Sequence, residues 1–235
     1  MSELPGRLAC WNIELEYGVA SDGTLFALSG KSDDELPLLV VLRYDGGHLL
    51  FFHPKVPRLA RLRLDELGEE AVLEHPENIV DVLRENRVAG PRVVASPFYE
   101  GLHFAVAPTP LESPEVVEER GSFRVLRDGR AVTKAWTVRE NAWAAEVAVE
   151  TLPDFRRQGL ARQVTAAWGH RVLASGRVAF FSHRRDDFAS AALARSLGLS
   201  HYATTREYSN HATDRPDGQS AHLGGSRREV PFLGQ

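Results

Sequence analysis

The segment from Trp143 to Gly176 constrains the fold of this chain more than any other. Every second residue from Trp143 to Val149 is apolar, namely Trp143, Ala145, Val147 and Val149, and Thr151 continues the series, which is the spacing of one face of a β-strand. A glycine-containing turn follows, and apolar residues then recur at a helical spacing. The residues of this apolar stripe are Leu160, Val164, Trp168 and Val172. The segment therefore predicts a strand that enters a helix through a tight turn, and a sheet on which that helix packs.

The turn between this strand and this helix has the composition of an anion-binding site. The first backbone N–H groups of a helix lie at the positive end of its dipole, where phosphate groups bind. Arg156 and Arg157 precede the helix, and Gly159 and Ala161 keep the side chains short, so that a phosphate can approach the backbone. Pro153 favours an exit from the sheet. A short glycine pattern also arises by chance, so its surroundings decide what it means.

The surroundings of the turn repeat the alternation of strand and helix. Upstream, apolar residues in 123–126 and 131–138 flank Asp128-Gly129, which is a typical hairpin turn. Downstream, the sequence predicts a strand over 178–182, a helix over 188–197 and a last strand over 201–208. The turn therefore lies in the middle of an ordered α+β pattern.

Residues 145–161, Ala-Glu-Val-Ala-Val-Glu-Thr-Leu-Pro-Asp-Phe-Arg-Arg-Gln-Gly-Leu-Ala, resemble the central motif of the Gcn5-related N-acetyltransferase (GNAT) superfamily. The family hallmark is Arg/Gln-x-x-Gly-x-Gly/Ala after the fourth strand, and Arg156, Gly159 and Ala161 match it. The resemblance covers residues 120–208. It implies an α+β protein with the GNAT fold, a mixed, splayed β-sheet flanked by helices, preceded here by an additional N-terminal α/β region.

The resemblance also implies acetyl-CoA as co-substrate and assigns residues to it. Backbone groups of Val149, Glu150 and Thr151 would pair with the pantetheine arm like an added strand, and the amides of the following turn would hold the pyrophosphate. The residues of that turn are Arg156, Arg157, Gln158, Gly159, Leu160, Ala161 and Arg162. No metal is expected, because the histidines have no zinc-ligand spacing.

Two carboxylates are candidates for the general base that acyl transfer to an amine requires. Glu146 and Glu150 lie four residues apart on the predicted strand, and therefore on the same face. Glu146 ranks first, because its position is commonly acidic in the subgroup of the family that this chain resembles through Thr151-Leu152-Pro153 and Ser190. The alternative is that it is a solvated carboxylate on the outer face.

Two positions depart from the family pattern. The family often has a tyrosine that protonates the leaving thiolate, and Ala194 stands at that position. Tyr202 and Tyr99 are the alternatives. The frequent asparagine at the start of the same helix is replaced by Asp187, which is a good N-cap residue.

The chain divides into three predicted parts. Residues 1–112 form a strand-and-helix region that shapes the acceptor site, with hairpins in 13–28 and 38–53 and helices after Pro57 and Pro76. Three prolines in 108–115 mark the boundary. Residues 113–208 form the acetyl-CoA-binding domain, and 209–235 form a polar tail.

Composition narrows the class of function. A net charge of −4 over 235 residues gives no basic field for nucleic acid. No apolar run reaches the length of a membrane span, so we expect a cytoplasmic protein. The expected reaction is direct attack of a small-molecule or peptide amine on acetyl-CoA in a ternary complex, and the alternative is a non-catalytic acyl-CoA-binding regulatory module. The acceptor and the oligomeric state, a homodimer included, stay open.

Overall fold

The computed structural model describes residues 3–28, 32–88, 93–108 and 115–210. These residues form two compact units. The N-terminal unit contains the described residues up to 101 together with 202–210, and the central unit contains the described residues of 102–201. The predicted tail from residue 211 onward and most of the proline-rich boundary, residues 109–114, lie outside the described residues.

The elements of the first half are mainly short. In chain order they are α1 (Glu3–Glu14), β1 (Gly18–Val19), β2 (Leu25–Phe26), β3 (Leu39–Tyr44), β4 (Gly47–Phe52), α2 (Arg58–Glu66), α3 (Gly68–Glu74), α4 (Pro76–Glu85), β5 (Val94–Ala95) and β6 (Tyr99–His103).

The second half has the longer strands. Its elements are β7 (Val116–Glu119), β8 (Ser122–Arg127), β9 (Arg130–Glu140), β10 (Ala144–Thr151), α5 (Leu160–Ala174), β11 (Val178–Arg184), α6 (Phe188–Ser196) and β12 (Ser200–Ser209). Each strand and helix predicted after residue 120 is present.

In the N-terminal unit, β3 pairs antiparallel with β4 on one side and with β12 on the other. The predicted hairpin at Asp45-Gly46 is confirmed. Below the sheet, helices α2 and α4 bury apolar side chains in a core with β3. The residues that α2 and α4 contribute are Ala60, Leu64, Ile79, Val82 and Leu83.

Two sequence predictions in this unit were wrong in detail. Residues 3–14 form helix α1, so the first hairpin is confined to β1 and β2, and Ile13 is a buried helical residue. The helix after Pro57 is present as α2, but Leu59 and Leu62, whose near-helical spacing predicts this helix, are exposed on it. Its inner face is made by Ala60 and Leu64 instead, because packing selects the face and a short apolar spacing does not.

The central unit contains a mixed sheet in the order β11-β10-β9-β8-β7. β10 and β11 are parallel, whereas the other neighbours are antiparallel. This confirms the α+β class and the mixed sheet. The predicted apolar stripe of α5 is buried against the sheet. Gly169 lets α5 pack closely against the ring of Phe104, since a Cβ at this position would stand 2.8 Å from that ring.

No helix in the described part of the chain is both long enough and apolar enough to cross a membrane.

Candidate functional site

The two central strands of the mixed sheet separate partway along their length. β10 and β11 are paired only from Ala144↔Val178 to Glu146↔Phe180. Both strands continue, β10 to Thr151 and β11 to Arg184, while β10 stays paired with β9 up to Thr151. The edge of β10 that faces β11 is therefore left open beyond Glu146, and we call this opening the splay.

The backbone of β10 alternates between the splay and β9. The carbonyl of Glu150 accepts a hydrogen bond from Thr133 Oγ1 at 2.9 Å, and the amide of Leu152 donates to Val132 at 2.9 Å. Residues of even number thus direct their backbone groups toward β9, so those of Val149 and Thr151 face the splay. Of the three backbone positions predicted for pantetheine, Val149 and Thr151 face the opening and Glu150 does not.

The turn after β10 contains two residues whose backbone adopts the left-handed conformation. Residues 153–155 form one turn of 3₁₀ helix, after which Arg157 has a φ of +61° and Gly159 a φ of +76°. A positive φ is uncommon for a residue other than glycine. A Cβ at Gly159 would meet no atom within 4 Å. Backbone conformation therefore requires glycine here, and the space above the turn is open.

Backbone amides converge at the start of α5. The first hydrogen bond of the helix runs from the amide of Gln163 to the carbonyl of Gly159, at 3.2 Å. The amides of Leu160, Ala161 and Arg162 therefore have no carbonyl of the preceding turn to bind. They lie at the positive end of the helix dipole, where an anion is stabilised.

The side chains around the turn brace it. Arg156 Nε donates to the carbonyl of Thr151 at 3.2 Å, and Gln158 Nε2 donates to that of Asp154 at 3.2 Å. Arg162 Nε donates to the carbonyl of Ser196 at 3.0 Å. The amide of Arg156 donates to Pro153. That the amides from Arg156 to Arg162 bind pyrophosphate stays a prediction, and the Arg156 amide already has a hydrogen-bond partner within the turn.

Glu146 lies at the root of the splay and has no exposed surface. Its Oε2 is paired with Arg139, which stands opposite it on β9 and is only 8% exposed. Its Oε1 accepts a hydrogen bond from Ser182 Oγ on β11. At this point β9 contains one extra residue, Val138, because Glu146 pairs with Arg139 and the next residue of β10 pairs with Thr137. The buried charge of Glu146 is thus fully compensated.

Glu150 shares the face of Glu146 but has different surroundings. Its side chain is 50% exposed and forms an ion pair with Lys134, on the opposite rung of β9, at 3.1 Å. Lys134 also lies over the ring of Trp136, at 4.6 Å from the centroid. The catalytic assignments of Glu146 and Glu150 both stay predictions, now with a buried and a solvated candidate.

The first turn of α6 is capped as predicted. Asp187 Oδ1 accepts hydrogen bonds from the amides of Ala189 and Ser190, at 3.1 and 3.0 Å. Ala194 is buried in the core of the central unit, and its methyl group supplies no proton. Tyr99 and Tyr202 belong to the N-terminal unit and stay alternatives for the general acid.

Sequence reasoning missed Arg139 and Ser182. One signal pointed to a partner for Glu146: it stands in the otherwise apolar run Ala144–Val149 of a central strand. A carboxylate in such a run is buried, and a buried carboxylate requires a cation or hydrogen-bond donors. The run does not identify which residues supply them.

Comparison with known proteins identifies one family model that matches the chain. Residues 115–210 match the family model of the GNAT acetyltransferases. That match contains β10, the turn and α5, and it confirms the resemblance of this segment to the GNAT superfamily. No curated protein matches the chain.

Several solved structures are similar to this chain. An acetyltransferase of the GNAT family from Colwellia psychrerythraea is 11% identical, over 81% of this chain and 78% of its own, with a TM-score of 0.47. A GCN5-related N-acetyltransferase-like protein from Streptococcus suis is 16% identical, over 74% and 84%, with a TM-score of 0.44. A GCN5-related N-acetyltransferase from Sphaerobacter thermophilus is 10% identical, over 72% and 75%, with a TM-score of 0.45.

Within the part of the chain that the structure describes, no three His, Cys, Asp or Glu side chains gather in a group that could hold a metal ion.

Proposed function

We propose that this protein is an N-acetyltransferase that moves the acetyl group of acetyl-CoA to an amine in a ternary complex. The observation that carries the proposal is the continuity of the splay with the turn at the start of α5. An unpaired strand edge, which suits an amide-containing arm, leads directly to a group of backbone amides, which suits a pyrophosphate.

The residues of the site fit both parts of acetyl-CoA. Backbone groups of Val149 and the amide of Thr151 face the splay, at the positions proposed for the pantetheine arm, while the carbonyl of Thr151 accepts a hydrogen bond from Arg156 Nε. The amides of Leu160, Ala161 and Arg162 supply donors for the pyrophosphate. Gly159 leaves the space above them open.

The sole cysteine favours direct transfer over an acyl-cysteine intermediate. Burial, followed by the nearby charge of Glu14, raises the pKa of the Cys10 thiol. The reactive species of a cysteine is its thiolate, and a raised pKa keeps Cys10 protonated. The proposed reaction therefore needs only an acceptor amine and a group that takes its proton, for which Glu146 and Glu150 are the candidates.

Binding of acetyl-CoA is the first test. A ligand at 100 times its Kd stabilises the folded state by about 2.7 kcal/mol, which raises Tm by roughly 5–11 °C in a protein of this size, at about 2–4 °C per kcal/mol. We expect that shift for the full chain with millimolar acetyl-CoA or CoA in differential scanning calorimetry. An unchanged Tm would remove the cofactor assignment.

A non-catalytic acyl-CoA-binding module is the second candidate. It is favoured by Ala194, which offers no acid, and by the ion pair that engages Glu146. Release of CoA thiol in the presence of a panel of primary amines distinguishes the two. We expect release that depends on an amine, whereas a binding module would be stabilised by acetyl-CoA without releasing thiol. Comparison of small amines with peptides in the same assay separates small-molecule from peptide acylation.

A further inference from the structure

Ser182 occupies a specific place at the mouth of the splay. It lies two residues beyond Phe180, the last residue of β11 that pairs with β10. Side chains two residues apart on a strand share a face, so Ser182 is the first residue of β11 beyond the last rung on that face. Its Oγ donates a hydrogen bond to Glu146 Oε1.

Ser182 lies between the buried carboxylate of Glu146 and the splay. Glu146 has no exposed surface, and Arg139, which holds Oε2, is itself buried. Ser182 is partly exposed. A proton that reaches Oε1 from the splay therefore has a direct route through the Ser182 hydroxyl, which can accept one proton while it donates another.

We propose that Ser182 is a catalytic residue that relays the proton of the acceptor amine to Glu146. The inference rests on the proposed acetyl transfer. As the C–N bond forms, the amine proton moves to Ser182 Oγ, and the proton already on Ser182 moves to Glu146 Oε1. As the C–S bond breaks, a proton returns by the same route to the sulfur, and both side chains end the cycle unchanged.

Arg139 gives this relay a direction. While Glu146 is ionised, the two charges compensate each other inside the protein. A proton on Glu146 breaks its buried ion pair with Arg139, which is costly. Return of the proton restores the ion pair, and the same Ser182–Glu146 couple serves as base in the first half of the reaction and as acid in the second.

Substitutions of Ser182 in the full chain test the relay. With acetyl-CoA and a panel containing spermidine, tyramine and a short peptide with a free N-terminus, Ser182→Ala should lower kcat by about 10²-fold or more, with an unchanged Kd for acetyl-CoA. Ser182→Thr keeps the hydroxyl and should recover most of the rate. Ser175→Ala is the matched control, because its hydroxyl bonds to the carbonyl of Val172 at the end of α5 away from the turn, and its rate should equal that of the parent.

A solvent isotope effect separates a relay from a structural role. Two protons move together through Ser182, so the parent should slow more in D₂O than Ser182→Ala does. If Ser182→Ala turns over like the parent, or if Ser182→Thr does not restore the rate, the relay is wrong while acetyl transfer stands. If the parent releases no CoA thiol with any amine, the proposed function fails and the relay with it.

Discussion

The two glutamates of β10 have identical positions in the sequence pattern and opposite surroundings in the molecule. Glu146 lies where β10 has a neighbour on each side, and it is fully buried against Arg139 and Ser182. Glu150 lies where β11 has moved away, and half of its side chain is exposed. The alternation of a strand fixes the face of a side chain, whereas the pairing of the neighbouring strands decides whether that face is covered.

The largest effect should come from Glu146→Gln, which breaks the buried ion pair with Arg139. Breaking a buried ion pair typically costs about 3–5 kcal/mol, and loss of a working base lowers the rate by about 10²–10⁴. We expect a free energy of unfolding reduced by that amount in urea titrations, and a kcat reduced by that factor, with acetyl-CoA still bound.

The double variant Arg139→Met/Glu146→Leu separates the structural from the catalytic role of Glu146. Apolar residues often replace a buried ion pair without loss of stability, so the free energy of unfolding should return toward that of the parent. Activity should stay low. An active double variant would contradict the assignment of Glu146 as proton acceptor.

The second largest effect should come from Gly159→Val, at the open end of the splay. A valine with positive φ costs about 1–3 kcal/mol of backbone strain, and its side chain would occupy the space proposed for the pyrophosphate. We expect the Kd for acetyl-CoA in calorimetric titrations to rise by tenfold or more, about 1.4 kcal/mol.

Gly176→Val is a matched control for this change. Gly176 follows the other end of α5 with a φ of +79°, and a Cβ added there would likewise meet no atom within 4 Å. The two variants should lose similar stability, but only the Gly159 variant should lose affinity. Equal Kd values in the two variants would show that the turn does not hold the pyrophosphate.

The smallest effect should come from Glu150→Gln. Its ion pair with Lys134 is half exposed, and such surface pairs contribute no more than about 1 kcal/mol. We expect a free energy of unfolding within that range and an unchanged Kd for acetyl-CoA, because the proposed contacts there are made by backbone. If this variant loses its activity while Glu146→Gln keeps it, the solvated carboxylate is the base.

The sequence predicted the central unit better than the N-terminal unit for a physical reason. Between residues 120 and 208 the strands alternate regularly, and Asp128-Gly129 supplies a hairpin turn in which both residues have positive φ. In the N-terminal unit, Pro5 and Gly6 argue against a helix in the sequence, so helix α1 was not predicted. A proline is nevertheless tolerated in the first turn of a helix, where Pro5 lies. Leu59 and Leu62 have the spacing of a buried helix face in the sequence, although both are exposed in the structure.

The candidate site was predicted in part. Its motif, the turn and the exit from the sheet follow from local chemistry. The positive φ of Arg157 does not follow from local chemistry. The environment of Glu146 does not follow from it either, because Ser182 is 36 residues away from Glu146 in the sequence. Contacts of that kind depend on where β10 and β11 part, which local periodicity does not encode.

The extra residue of β9, Val138, is a β-bulge that shifts the alternation of side chains between the two faces of the sheet. Without it, Thr137 and Arg139 would project from the same side of the sheet, because they are two residues apart. With it, Thr137 points toward α5, where its Oγ1 accepts a hydrogen bond from the indole of Trp168 at 3.0 Å, and Arg139 points to Glu146 on the opposite side. One inserted residue thus allows a single strand to pack against helix α5 on one face of the sheet and to pair with the buried charge of Glu146 on the other.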